Sequence, residues 1–223
     1  MKTLIVNLKN YPEAFGERAV EIGREAALAA RSARIRTVVC PPHPMISLLA
    51  RMRGVTVYSQ SLDFAKTGAS TGALVAEAVK ASGAKGTLLN HSEARLSRQT
   101  LSRTAKRARE AGLEVCICAK NVSEANAVAE LRPDFVAVEP TELIGTGLAV
   151  SRVRPDVVRQ TAESLRSIGF RGSVLCGAGI VDGADVRAAV SLGAEGVLVS
   201  SSVVKAQDRK AKILELARAL GDG

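Results

Sequence analysis

Eight short apolar runs recur along this chain, and the segments between them place hydrophobic residues three and four apart. The runs are Thr3 to Val6, Thr37 to Cys40, Val55 to Tyr58, Gly86 to Leu89, Glu114 to Ile117, Phe135 to Val138, Ser173 to Cys176 and Gly196 to Val199. Phe135 to Val138, apolar on both faces, has the character of a buried parallel strand. Val20, Gly23, Ala27 and Ala30 in the first interval, and Val157, Thr161, Leu165 and Ile168 in the sixth, keep the helical period instead. Strand and helix in strict alternation predict an α/β fold with a parallel sheet. In 223 residues, eight such units average roughly 28 residues each, which suits a minimal (β/α)8 barrel built as a single domain over residues 1–223. A doubly wound open sheet is the competing topology. No G-x-G-x-x-G follows the first run, so the dinucleotide-binding version of that sheet lacks its main signal.

A barrel of this kind collects its chemistry where the strands end. The sixth run ends in Glu139-Pro140, followed by Ile144-Gly145-Thr146-Gly147. On a period of two Glu139 shares a face with Phe135 and Ala137, so an inward Phe135 puts the carboxylate in the open end of the barrel. The first run ends Asn7-Leu8-Lys9, with Asn7 and Lys9 on the face of Ile5; an inward lysine calls for an anionic partner. The fourth ends Asn90-His91-Ser92-Glu93, and alternation turns His91 inward with Leu89 and Thr87, where an imidazole can act as electrophile or proton shuttle. Ser92 as a nucleophile ranks low without a nucleophile elbow. Cys176-Gly177-Ala178-Gly179-Ile180 and Ser200-Ser201-Ser202 follow the last two runs and supply the small residues of a backbone-built phosphate cradle. Together these features point to a phosphorylated small molecule.

Composition narrows the alternatives. The net charge of +9 invites a nucleic-acid reading, and the helix expected from Ser97 to Ala111 carries Arg98, Arg103, Lys106, Arg107 and Arg109. Aromatic residues make up only 3% of the chain, which leaves little for bases to stack on, and the basic residues spread over every expected helix. A solvated outer face explains them, and no nucleic-acid partner is expected. Apolar stretches fall well short of the roughly 20 residues of a membrane span, and Asn7 and Lys9 interrupt the first run too early for a signal peptide. A cytoplasmic protein without a membrane partner is the expectation. Cys116 and Cys118 share a strand face while Cys40 and Cys176 stand alone, so all four read as reduced core residues. With only His43 and His91 among histidines, neither a metal nor another cofactor is expected. Many ionic residues with few Asn, Gln and Met fit a heat-adapted, thermophilic composition.

These motifs, in identity and in order, resemble the triosephosphate isomerase family in its short archaeal form over the whole chain. The matching segments are Asn7-Leu8-Lys9, Asn90-His91-Ser92-Glu93, Val138-Glu139-Pro140 with Ile144-Gly145-Thr146-Gly147, Cys176-Gly177-Ala178-Gly179-Ile180 and Val203-Val204-Lys205-Ala206. The resemblance implies a TIM barrel that interconverts dihydroxyacetone phosphate and glyceraldehyde 3-phosphate, as in glycolysis and gluconeogenesis, with no cofactor and as a homodimer or homotetramer. It further implies that Glu139 is the base, His91 the electrophile, Lys9 and Asn7 the groups facing the enediolate, and Glu93 a second orienting carboxylate. Backbone groups of Ile144, Gly179, Ser200 and Ser201 would hold the phosphate, and the loop from Pro140 to Gly147, Gly145 included, would close over it. Ala94 stands where the family carries an arginine, and Ser200-Ser201-Ser202 where glycine is common. Gly68 to Gly72 resembles the family's subunit-crossing loop in outline. Two readings remain beside it: a Schiff-base aldolase through Lys9 or Lys120, and a non-catalytic barrel that binds phosphate or nucleic acid.

Overall fold

Parallel strands in sequential order close on themselves, with β8 returning to β1. They are β1 (Thr3–Asn7), β2 (Arg36–Cys40), β3 (Thr56–Ser59), β4 (Gly86–Leu89), β5 (Glu114–Ala119), β6 (Phe135–Val138), β7 (Ser173–Cys176) and β8 (Gly196–Val199). The structure is a computed structural model and describes residues 1–140 and 154–222. Among these residues the helices are α1 (Glu17–Ala33), α2 (Ile46–Ala50), α3 (Ala76–Ala81), α4 (Arg98–Glu110), α5 (Val122–Ala129), α6 (Pro155–Ser167), α7 (Gly183–Ser191), α8 (Ser201–Val204) and α9 (Arg209–Gly221). The (β/α)8 barrel expected from the alternating pattern is the fold observed. Strand limits differ by a residue or two: β1 continues to Asn7, β5 to Ala119, and Val55 lies before β3.

Because side chains alternate across a strand, each strand feeds two cores. On β1, Leu4 and Val6 join the layer beneath the helices, whereas Ile5 packs with Val38, Tyr58, Leu88, Cys116, Phe135, Ala137, Leu175 and Leu198. That second cluster fills the barrel. Inside it lie the thiols of Cys40, Cys116 and Cys118, while Cys176 faces the helical layer; all four cysteines are buried. The helical stripes are rotated slightly from the expected ones. On α1 the buried centre is Ala19, Ile22, Ala26 and Ala29, with Val20 and Ala30 at its edge. On α6, Val157, Thr161 and Leu165 are buried, but Ile168 caps the helix and is 55% exposed. Ser97 caps α4 by accepting the Thr100 N–H at 3.1 Å, so this helix begins where the sequence placed it.

Closure of the barrel sets a steric demand at the seam. A Cβ on Gly196 would lie against the Thr3 carbonyl oxygen, inside van der Waals contact, and 2.8 Å from Leu175 Cδ2. Gly23 is a different case, since a Cβ there meets only Leu49 and Met52 at an ordinary 3.5 Å inside α1. Gly196→Ala should therefore destabilise the fold by about 3 kcal/mol, as overpacking against rigid backbone does. Gly23→Ala should stabilise it by about 0.5–1 kcal/mol through helix propensity. Denaturant unfolding of the two variants checks both signs; equal effects would contradict this account of the seam.

Candidate active site

Parallel closure brings the C-terminal ends of all eight strands to one rim, and the chain bends sharply there. Lys9 has a positive φ of 48° just after β1, and its backbone N–H donates to Asn7 Oδ1 at 3.0 Å. Gln60 ties the same turn down by donating from Nε2 to the carbonyl oxygens of Lys9 at 2.9 Å and Cys40 at 3.0 Å. Asn7, 4% exposed, thus shapes the turn that launches Lys9 into the mouth. The Lys9 ammonium meets Glu93 Oε1 at 2.5 Å.

His91 reaches the mouth by a route that simple alternation does not give. Leu88 lies inside the barrel and Leu89 in the outer layer, so the expectation that His91 follows Leu89 inward is incorrect. Asn90 intervenes with φ at +59°, a conformation that asparagine tolerates better than most residues, and the strand's alternation ends there. Its side chain is fixed on every side. Nδ2 donates to the Cys118 carbonyl at 2.9 Å and to Glu124 Oε1 at 3.1 Å, and Oδ1 accepts the Leu96 N–H at 3.1 Å. Arg95 adds an ion pair to Glu124 at 3.3 Å. Within this frame the Glu93 backbone N–H donates to His91 Nδ1 at 3.2 Å. Since Nδ1 must accept, the neutral ring carries its proton on Nε2. Burial lowers the His91 pKa against the opposing charge of Glu93, and Lys9 and Arg95 lower it further, so the ring is held neutral.

Glu139 continues the β6 face of Phe135 and Ala137, as alternation predicts, and its N–H donates to Ala119 O at 2.7 Å. Its carboxylate is 1% exposed, with Oε2 lying 3.8 Å from His91 Nε2 and holding no hydrogen-bond partner among the described residues. Burial pushes its pKa up to about 7, against the lowering effects of the Cys118 thiol, Lys9 and Arg95. Gly177 makes this placement possible. A Cβ there would overlap Glu139 Cγ and lie 2.8 Å from Oε1. Gly177 thus gives Glu139 room while also lining the cleft, and Gly179, at φ +70°, provides the turn.

A cleft of about 220 Å³ opens over these groups, lined by Lys9, Tyr11, His91, Glu139, the segment Gly177 to Val181, and Leu198 to Ser202. Lys9, His91, Glu139, Gly179, Ser200 and Ser201 therefore share one cavity. Asn7 supports it from below, and Glu93, 56% exposed in its side chain, flanks it through Lys9. Buried Oγ atoms of Ser200 and Ser202 lack partners among the described residues. Ile144 and Gly145 lie outside the described residues, as does most of the segment Pro140 to Gly147. Lys120 is exposed and does not line the cleft, and Lys9 is held in an ion pair with Glu93. Among the described residues no group of His, Cys, Asp and Glu could hold a metal ion. Sequence reasoning missed Gln60, Asn90, Glu124 and the thiol of Cys118. Of these only Asn90 carried a readable sign, an asparagine at a strand end.

A closed parallel barrel with an ionisable carboxylate and a neutral imidazole facing each other at its C-terminal mouth defines a barrel of the enzyme type. Residues 2–219 match the model of the triosephosphate isomerase family. Curated relatives named triosephosphate isomerase include one from Methanopyrus kandleri, 45% identical over 219 residues and covering 97% of both chains. Another, from Methanocaldococcus jannaschii, is 41% identical over 96% of this chain and 98% of its own. The fold is also that of the crystal structure of triosephosphate isomerase from Bartonella henselae, with a TM-score of 0.76 at 19% identity, covering 98% of each chain. The chain belongs to the triosephosphate isomerase family.

Burial of Glu139 makes a thermodynamic prediction. Its pKa rises from 4.5 to about 7 on folding, so the folded state binds the proton more tightly. The stability this adds is complete below pH 4.5 and is lost as pH rises to about 7. Glu139→Gln does not titrate. The variant's stability relative to the parent should rise by roughly 3 kcal/mol between pH 4 and pH 8, at about 1.4 kcal/mol per pKa unit. Urea titrations at several pH values measure it, and a constant difference would mean that the carboxylate is solvated.

Proposed function

We propose that the chain interconverts dihydroxyacetone phosphate and D-glyceraldehyde 3-phosphate by proton transfer through an enediolate. The observation that carries the reading is the buried Glu139 oxygen without a partner, 3.8 Å from the Nε2 of a neutral His91 and beside Lys9. In this reading the substrate lies between the two groups. Glu139 takes the proton from the carbon next to the carbonyl, and His91 Nε2–H hydrogen-bonds and then protonates the carbonyl oxygen, giving the enediol. Return of the proton from Glu139 to the neighbouring carbon, with loss of the hydroxyl proton to His91, completes the transfer. The ammonium of Lys9 offsets the negative charge that develops on the oxygens. A pKa of about 7 suits the base, because a large fraction is ionised near neutral pH while the group stays basic enough to accept a proton.

The phosphate is assigned to the rim formed by Gly179, Ser200 and Ser201, supported by small side chains and by the unpartnered Oγ atoms of Ser200 and Ser202. Ile144 and Gly145 are assigned to the same phosphate by family resemblance, with the loop that carries them closing over the enediolate to exclude water. We extend the proposal to a cytoplasmic protein at work in glycolysis and gluconeogenesis, suited to high temperature by its ionic composition. Among the described residues no helix is long and apolar enough to cross a membrane. A homodimer or homotetramer is supported by Phe15, Leu48 and Phe64, which are 48%, 43% and 38% exposed.

Two experiments test the reading. Glu139→Ala should fold while turnover falls by about 100 to 10,000-fold, the range for loss of a positioned base. Incorporation of solvent deuterium into dihydroxyacetone phosphate, followed by NMR, should fall in parallel; near-parental exchange in the folded variant would reject Glu139 as the base. The acidic limb of kcat/KM should bend near pH 7, since protonation of the free enzyme's Glu139 removes the base. A limb near pH 4.5 would place the base in water.

A further inference from the structure

A larger cavity, of about 980 Å³, opens at the opposite end of the barrel, where the strands begin. Thr3, Arg36, Glu114, Phe135 and Ser173 form its floor, and the turns at 130–134 and 168–172 form its wall. The end where strands begin carries the stability of such barrels and not their chemistry, so an open cavity there is unexplained by the isomerase reading. Its volume falls within the range of about 300–1,000 Å³ typical of small-molecule sites.

Arg36, Arg132 and Arg171 share the lining with Glu114, Glu130 and Asp134, and the pairing among these groups is uneven. Arg36 is held by Glu114 through two hydrogen bonds, one of them 3.0 Å long, and lies over the rings of Tyr58 and Phe135 at 5.8 and 5.5 Å. Asp134 accepts the Val115 N–H at 2.8 Å, and Glu130 pairs with Arg98 at 3.0 Å. Glu114 and Glu130 are thus each paired with an arginine, while Asp134 holds a backbone N–H. Arg132 and Arg171 have no ion pair or side-chain hydrogen bond among the described residues, and they line the cavity together with Pro133, Phe135, Ile168 and Phe170. The wall is built in advance of any ligand. Arg132 sits at φ +50° and Gly169 at φ +75°, and Gly172 presses so close to the carbonyls of Pro133 and Asp134 that a Cβ would lie 2.7 and 2.6 Å from them.

We propose that this cavity binds a small organic anion, a phosphate or carboxylate carried on a flat apolar group, with Arg132 and Arg171 taking the anion. Guanidinium groups match planar or tetrahedral oxyanions through paired donors, and the apolar wall accepts the ring. A flat protein partner would leave the concave interior unfilled, whereas a molecule of this kind fills it and gives the two arginines a partner.

Phenyl phosphate is a suitable probe, titrated into the intact chain and read residue by residue by amide NMR, because its phosphate can also enter the cleft at the other end. Saturable shifts are expected at 132–135 and 169–173. The midpoint should be at least about tenfold weaker for phenol, for inorganic phosphate, and for phenyl phosphate with Arg132→Ala/Arg171→Ala, since a charged hydrogen bond is worth about a factor of ten. The double variant removes side chains without partners, so its unliganded melting point should match the parent's. Shifts confined to 177–181 and 200–202, or an undiminished response in the double variant, would overturn the proposal. So would shifts at the cavity that follow protein concentration without probe, which would mark a second copy on this face.

Discussion

The mouth of this barrel depends on keeping one carboxylate out of water. Glu139 is 1% exposed and its Oε2 has no partner among the described residues, which desolvates the charged form and lifts its pKa to about 7. Nearby groups accommodate that cost. Gly177 gives up its side chain to make space, the Cys118 thiol supplies the nearest donor, and Lys9 and Arg95 provide distant positive charge. Remove the burial and Glu139 becomes an ordinary carboxylic acid, too weakly basic for the proton abstraction proposed for it.

Its counterpart, His91, is set by hydrogen bonds and not by burial alone. The Glu93 N–H fixes the tautomer, and the Asn90 side chain, itself pinned by Cys118, Leu96 and Glu124, fixes the turn that delivers the ring. These supports come from two neighbouring βα units, so strain at Asn90 is held by a framework that the closed sheet keeps rigid. Arg95 belongs to this support through Glu124 and completes it although Ala94 precedes it. The barrel separates duties by end: strand termini at one rim carry ionisable groups aimed inward, and at the other rim Arg36, Glu114 and Tyr58 close the core with a polar plug.

Much of this was legible in the chain. Period-two apolar runs fix strands because only alternate residues share a face, and β4, β6, β7 and β8 fall on the residues where those runs lie. The same rule located Glu139 on the face of Phe135 and Ala137. It failed at His91, because a single left-handed residue, Asn90, breaks the alternation on which the rule rests. The helical stripes on α1 and α6 were off by a fraction of a turn, since three-to-four spacing leaves open which neighbouring stripe faces the sheet.

What the sequence by itself determined was the alternation of elements, hence the barrel, and the identity of the polar residues at strand ends. Those depend on local periodicity, which a chain carries residue by residue. Tertiary structure alone decided which residues surround each of those groups. That Gln60 ties down Lys9, that Gly177 yields its volume to Glu139 and that a thiol on β5 lies beside Glu139 are contacts between residues 21 to 51 positions apart, and no periodic signal records them. A pKa of about 7 is a property of that enclosure, because desolvation is set by what packs around a carboxylate and not by the residues beside it in the chain.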